Sequence, residues 1–177
     1  MGGTITLESE YGVGTTFVIR VPFKIDLDAD KREEQKDISE KSIKGLHILL
    51  AEDNELNMEI AEFLLQNEGA DVTKAWNGQE AVELFRKSGP GGFDVILMDI
   101  MMPVMNGYEA TKMIRSLDRE DAKEIPIIAM TANAFTEDRI RAKEAGMDEH
   151  IAKPVDVGLL IKVIHKLVEY NGYGSDK

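Results

Sequence analysis

The chain has 177 residues, 43% hydrophobic and 31% charged, which fits one sizeable globular domain with an appendage and is too apolar for wholesale disorder. It contains no Cys, excluding a disulfide scaffold, a thiolate metal site and a cysteine nucleophile, and its three His stand too far apart to argue for a transition-metal site. With 33 acids against 21 bases the net charge is -12, which disfavours nucleic acid and anionic membrane but suits divalent cations and basic surfaces.

The first predicted element is a β-hairpin. Gly3–Glu8 and Thr15–Val21 alternate polar and apolar residues around Tyr11-Gly-Val-Gly14, and Pro22 closes the second run. Two strands are marginal alone in water, so the hairpin reads as a piece of a larger sheet. The first residues have neither the basic start nor the apolar stretch of a signal peptide, and no run is long enough to span a bilayer, so a cytoplasmic location is expected. Asp26–Ser42 then packs seven acids and four bases into seventeen positions, the composition of a solvated linker, partly helical at most.

From residue 43 onward strands and helices alternate. Leu46–Leu50 is a continuous apolar run suited to a strand buried on both faces. Leu56, Ile60, Phe63 and Leu64 recur at helical spacing. A weaker strand over Asp71–Ala75 precedes a helix over about Asn77–Lys87, with Trp76 between them in a structural role. Phe93–Met98 is a strand ending at Asp99, and a helix runs from Gly107 to about Ser116. Ile127–Met130 is a strand, and the next helix stops at Gly146. Glu149–Ala152 is the last strand, and Leu160, Val163, Ile164, Leu167 and Val168 form the core-facing stripe of a final helix. Five βα units imply an α/β fold: an open parallel sheet covered by helices on both faces.

Ligands of such sheets bind beyond the carboxyl ends of the strands. There the reading places Glu52 and Asp53 after the first strand, Asp99 after the third, Thr131 after the fourth and Lys153 after the fifth. Three converging carboxylates repel one another unless a cation intervenes, and hard oxygen ligands suit Mg²⁺, with Mn²⁺ an alternative. The chemistry indicated is phosphoryl transfer to a carboxylate, with Lys153 balancing charge. Singly, each residue has a plainer reading: Asp99 as a strand-end cap, Glu52-Asp53 as the acidic first turn of a helix, Lys153 as a surface lysine.

Glu52-Asp53-Asn54, Asp94-Val-Ile-Leu-Met-Asp99 with Met102-Pro-Val-Met-Asn-Gly107, Ile125-Pro-Ile-Ile-Ala-Met-Thr131-Ala and Lys153-Pro154 together resemble the receiver domain of two-component response regulators. The resemblance covers about Lys44–Tyr170 and rests on four motifs in the family's order, each at the end of its own strand. It implies a flavodoxin-like, doubly wound sheet of order 2-1-3-4-5. It further implies Asp99 as phosphoacceptor, with Glu52, Asp53, Asp99 and the Met101 carbonyl around Mg²⁺. Thr131 would hydrogen-bond a phosphoryl oxygen, Lys153 would pair with it, and the Lys153–Pro154 bond would be cis. His150 stands where the family commonly carries Tyr or Phe, which makes it the switch residue coupled to Thr131; a plain edge-strand His is the alternative. Met101 and Asn133 are the positions that tune acyl-phosphate lifetime, and Met101 implies slow self-hydrolysis because it cannot orient water as an amide would. The loop methionines Met101, Met102 and Met105 read as flexible packing.

The segment Gly2–Phe17, ending Val21-Pro22, resembles the last part of a histidine-kinase ATPase domain, and Glu52–Asn57 resembles receivers of hybrid histidine kinases. The expected organisation is residues 1–25 as that ATPase fragment, 26–43 linker, 44–172 receiver and 173–177 tail. The fragment lacks the upstream nucleotide boxes, so no kinase activity is expected, and a remnant is preferred to an independent function for the hairpin. Only Asn171–Lys177 follows the last helix, so output is expected by relay to a histidine phosphotransfer protein, feedback on a kinase's phosphohistidine domain, or contact with a separate partner. No nucleic acid and no direct membrane contact are expected. Two rivals are a phosphorylation-independent interaction module of the same fold and a Mg²⁺-dependent phosphohydrolase. The second generally needs an Asp two residues after its nucleophile, where this chain has Met101.

Overall fold

A computed structural model describes residues 2–22, 43–132 and 136–170. The chain divides into two compact units, Met1–Ser39 and Glu40–Lys177. In the first, β1 (Thr4–Glu10) and β2 (Gly14–Arg20) form the expected antiparallel hairpin. Its turn carries Gly12 at φ +79° and a Val13 N–H to Glu10 carbonyl hydrogen bond of 3.1 Å, a backbone conformation that glycine adopts without Cβ strain. The register pairs Ile5 with Ile19 and Leu7 with Phe17 on one face, and all four are exposed. The charged segment read as a linker falls almost entirely outside the described residues, as does Asn133.

The second unit is a five-stranded parallel sheet. Its elements are β3 (His47–Ala51), α1 (Glu55–Asn67), β4 (Asp71–Ala75), α2 (Gly78–Lys87), β5 (Val95–Asp99), α3 (Gly107–Arg115), α4 (Glu120–Glu124), β6 (Ile127–Thr131), α5 (Thr136–Ala145), β7 (Glu149–Ala152) and α6 (Val157–Tyr170). The strand order β4-β3-β5-β6-β7 is the order 2-1-3-4-5 expected for the doubly wound fold.

The sheet separates two cores. Leu49, Ile96, Met98, Ile127 and Ala129 point to one face, where Ala81, Val82 and Phe85 of α2, Ala110 and Ile114 of α3 and Ala142 of α5 cover them. Ile48, Leu50, Val95, Leu97, Ile128 and Met130 point to the other, against Met58, Ala61 and Leu65 of α1 and Leu160, Ile164 and Val168 of α6. Because both faces are buried, β3, β5 and β6 are near-continuous apolar runs rather than alternating ones. Each fully buried Leu or Ile contributes roughly 1.5–3 kcal/mol by leaving water.

Two local features depart from the sequence reading. Helix α1 forms where expected, yet Leu56, Ile60 and Phe63, which carried its periodicity, are exposed, and Met58, Ala61 and Leu65 face the sheet. Helix α4 was not anticipated: it is five residues long, and its one buried side chain is Ala122.

Candidate functional site

Parallel pairing sets the ends of the central strands level, with Ala51 opposite Met98, Asp99 opposite Met130, and Thr131 opposite Ala152. The residues at or just past those ends therefore converge on one rim. Carboxylate oxygens of Glu52, Asp53 and Asp99 all lie within 4.8 Å of one another. Glu52 and Asp99 are buried and Asp53 is exposed. The Lys153 ammonium bridges the two buried acids, 2.8 Å from Asp99 Oδ2 and 2.5 Å from Glu52 Oε2.

The two buried acids are oriented by neighbouring donors. Asp99 Oδ1 accepts the Met101 backbone N–H at 3.2 Å. Glu52 Oε1 accepts the Asn57 side-chain amide at 3.1 Å and the Asn54 backbone N–H at 3.3 Å. The Lys153 backbone N–H donates to the Thr131 carbonyl at 2.7 Å, tying the ends of β6 and β7 together, and the Lys153–Pro154 peptide is cis, as the resemblance implied. Burial pushes the Asp99 carboxyl above the ordinary aspartate range, with the Glu52 charge adding to it, against the opposing hydrogen bond and charge of Lys153. Burial also works against the Lys153 charge, but hydrogen bonds and charge from Asp99 and Glu52 outweigh it and hold the ammonium above the ordinary lysine value.

The loop after Asp99 is closely folded. A Cβ on Gly107 would come within 2.2 Å of the Asp99 carbonyl oxygen, so only glycine lets α3 start against this strand end. Val104 sits at φ +67°, and the Met105 N–H donates to the Pro103 carbonyl at 2.7 Å, a γ-turn around a β-branched residue. This strained turn lies five residues beyond Asp99 and had no counterpart in the sequence reading.

The structure brings Glu52, Asp53, Asp99 and Lys153 together, and Thr131 is buried at the end of β6 with its carbonyl bonded to the Lys153 N–H. Met101 projects its side chain to solvent, 75% exposed, and contributes backbone only. His150 lies on β7 opposite Ala129, with its ring Nδ1 3.2 Å from Glu149 Oε1. It lines a cavity of about 510 Å³ with Arg139, Lys143 and Met147 rather than the acidic rim. Asn54 and Asn57 orient Glu52, a role that the Glu52–Asn57 motif does not reveal. Three clustered hard-oxygen donors fit a small divalent cation sharing its shell with water and phosphoryl oxygens.

A family model described as "Response regulator receiver domain" matches residues 48–165. The aerobic respiration control sensor protein ArcB of Escherichia coli K12 is 35% identical over 167 residues, covering 94% of this chain and 20% of ArcB. Histidine kinase 1 of Arabidopsis thaliana is 34% identical, covering 76% of this chain and 14% of that protein. The chain thus spans a fifth or less of the length of these relatives. Among solved structures, the receiver domain of sensor histidine kinase PA1611 from Pseudomonas aeruginosa PAO1, with magnesium coordinated in its active-site cleft, is 38% identical. It covers 71% of this chain and 98% of its own, with a TM-score of 0.64. The Saccharomyces cerevisiae receiver domain of Ssk1, solved with the histidine phosphotransfer protein Ypd1, is 31% identical and covers 70% of this chain and 89% of that chain, with a TM-score of 0.63.

Proposed function

The chain belongs to the response-regulator receiver family, and from that premise we propose that Asp99 is the phosphoacceptor of a two-component phosphorelay. The observation that carries this reading is the partly buried Lys153 ammonium bridging the buried carboxylates of Asp99 and Glu52, with Asp53 alongside. An Asp99 carboxylate oxygen attacks the phosphorus of a partner's phosphohistidine. The new O–P bond forms as the P–N bond breaks, its electron pair returning to the imidazole. Lys153 balances charge on the transferred group, and the Thr131 hydroxyl, at the end of β6, donates to one of its oxygens.

Asp53 and Asp99, with Glu52 and the Met101 carbonyl, would hold Mg²⁺; Mn²⁺ has the same ligand preferences. When bound, the cation neutralises phosphoryl oxygens and lowers repulsion from the acids. The switch is the pair Thr131 and His150, whose ring would leave Glu149 to move inward. The partner is a phosphohistidine-bearing domain, of a kinase or of a phosphotransfer protein, and the exposed apolar stripe Leu56, Ile60 and Phe63 on α1, next to the acidic rim, supports a protein contact there. The N-terminal hairpin is read as the end of a kinase ATPase domain, supported by the ArcB match extending over 94% of this chain. No helix among the described residues is long and apolar enough to cross a membrane.

The test is intact-mass analysis after incubation with phosphoramidate, with Mg²⁺ or EDTA. The expected result is one phosphoryl group gained only with Mg²⁺ and not by Asp99→Asn. No adduct on the parent chain, or an equal adduct on the variant, overturns the assignment.

A further inference from the structure

The N-termini of three helices in this chain are built alike, with one difference. Asn54, Asn77 and Asn106 cap α1, α2 and α3, each accepting the N–H of the residue three positions on, at 3.1, 2.9 and 3.0 Å. At α2 and α3 that third residue is Glu, and its carboxylate reaches back to a backbone N–H: Glu80 to Trp76 at 2.7 Å, Glu109 to Asn106 at 3.3 Å. At α1 it is Asn57. Its side chain reaches back as theirs do, but donates to the buried Glu52 carboxylate, and the Asn54 N–H donates to the same oxygen. A Glu there would aim one carboxylate at another.

The consequence runs across the rim. With Glu52 Oε1 fixed by Asn57 and Asn54, Oε2 is turned to Lys153, and Lys153 in turn reaches Asp99 Oδ2. A cavity of about 80 Å³ borders this chain of contacts, walled by Ile60, Ala61, Met130, Pro154 and Val155. Those apolar walls lower the local polarity beside the charge-assisted bonds, which strengthens them. Asn57 itself is exposed, so its side chain is not needed for packing.

We propose that Asn57 is a positioning residue: its amide holds Glu52 so that Lys153 is kept against Asp99. This rests on Asp99 being the phosphoacceptor, and the experiment reads the two separately. In the 177-residue chain, Asn57→Leu removes the donor and Asn57→Glu removes it while restoring the capping arrangement of α2 and α3. Asn57→Gln keeps an amide, and the neighbouring cavity has room for its extra methylene. Two quantities are measured: the initial rate of phosphorylation by phosphoramidate at saturating Mg²⁺, and the ¹⁵N-resolved ammonium signal of Lys153 in EDTA, which persists only while the group is held.

The Leu and Glu variants should both lose about tenfold in rate, the scale of one hydrogen bond to a charged group, and lose the Lys153 signal. The Gln variant should keep both. Wild-type rate and signal in the Glu variant would reduce Asn57 to an ordinary first-turn residue of α1 and overturn the proposal, as would a Gln variant as slow as Leu. If the parent chain takes up no phosphoryl group, the phosphoacceptor reading falls, and the Lys153 signal alone still decides the positioning role.

Discussion

Lys153→Met puts a number on the acidic rim. The substitution removes the cation shared by Asp99 and Glu52 and leaves an unbranched side chain of similar bulk. The two carboxylates are only 6% and 2% exposed. Deleting one member of a buried ion pair costs about 3–5 kcal/mol. Lys153 is 18% exposed, and the Asn57, Asn54 and Met101 donors remain on the acids, so the low end applies: about 3 kcal/mol. At about 3 °C per kcal/mol, Tm falls by about 10 °C at neutral pH.

The pH dependence fixes the sign. Burial already raises Asp99 above 3.8, and losing the Lys153 hydrogen bond and charge raises it further. Above 3.8 the variant's native state then holds a proton that its unfolded state has released, so its stability falls as pH rises through that window. The deficit against the parent is therefore largest near neutrality and narrows towards acid. Urea unfolding followed by far-UV circular dichroism, in EDTA at about pH 7 and about pH 4.5, measures it. Equal midpoints near pH 7, or a wider gap at the acid pH, would refute the reasoning.

Two further predictions concern parts of the scaffold away from the rim. Thr111 is fully buried and its hydroxyl oxygen has no hydrogen-bond partner among the described residues, so Thr111→Val should stabilise by about 1 kcal/mol, and a lower urea midpoint would contradict that. Arg119 lies 4.5 Å over the Phe85 ring and donates to the carbonyls of Phe85 and Gly89 and to Asp121, so Arg119→Met should cost about 2–3 kcal/mol. The Arg119 hydrogen bond holds the Asp121 carboxyl below 3.8, which gives stability above that value that is lost as pH falls through the lowered one. The variant's midpoints should consequently decline less steeply below about pH 4 than the parent's; an unchanged acid limb would count against the pairing.

The sheet was legible because β3, β5 and β6 are buried on both faces and end abruptly in acids or a hydroxyl, so apolar run and chemistry share one boundary. Helix α1 was legible as a helix but not in its orientation, since periodicity finds the larger side chains, and Leu56, Ile60 and Phe63 outweigh the inward-facing Ala61. Helix α4 buries a single alanine and leaves no stripe to read. The γ-turn at Val104 contradicts the residue's own preference, because a β-branched side chain does not ordinarily occupy positive φ. Lys153 was placed by motif, but its bridging of two acids joins Glu52 to a residue 101 positions away, which no local pattern encodes. The signal for Asn57 was present all along, as the one asparagine at a position where two sister helices carry glutamate.

The N-terminal hairpin has consequences for how this chain behaves in solution. Natural sheets shield their outer strands with charge, bulges or covering loops. The β1–β2 ribbon instead pairs Ile5, Leu7, Phe17 and Ile19 on one exposed face, and among the described residues each strand bonds only to the other. Strand addition and face-to-face stacking are both open to it, and both grow with concentration. The fourteen residues of these two strands, which lie outside the receiver match, therefore add a tendency to associate that rises with concentration.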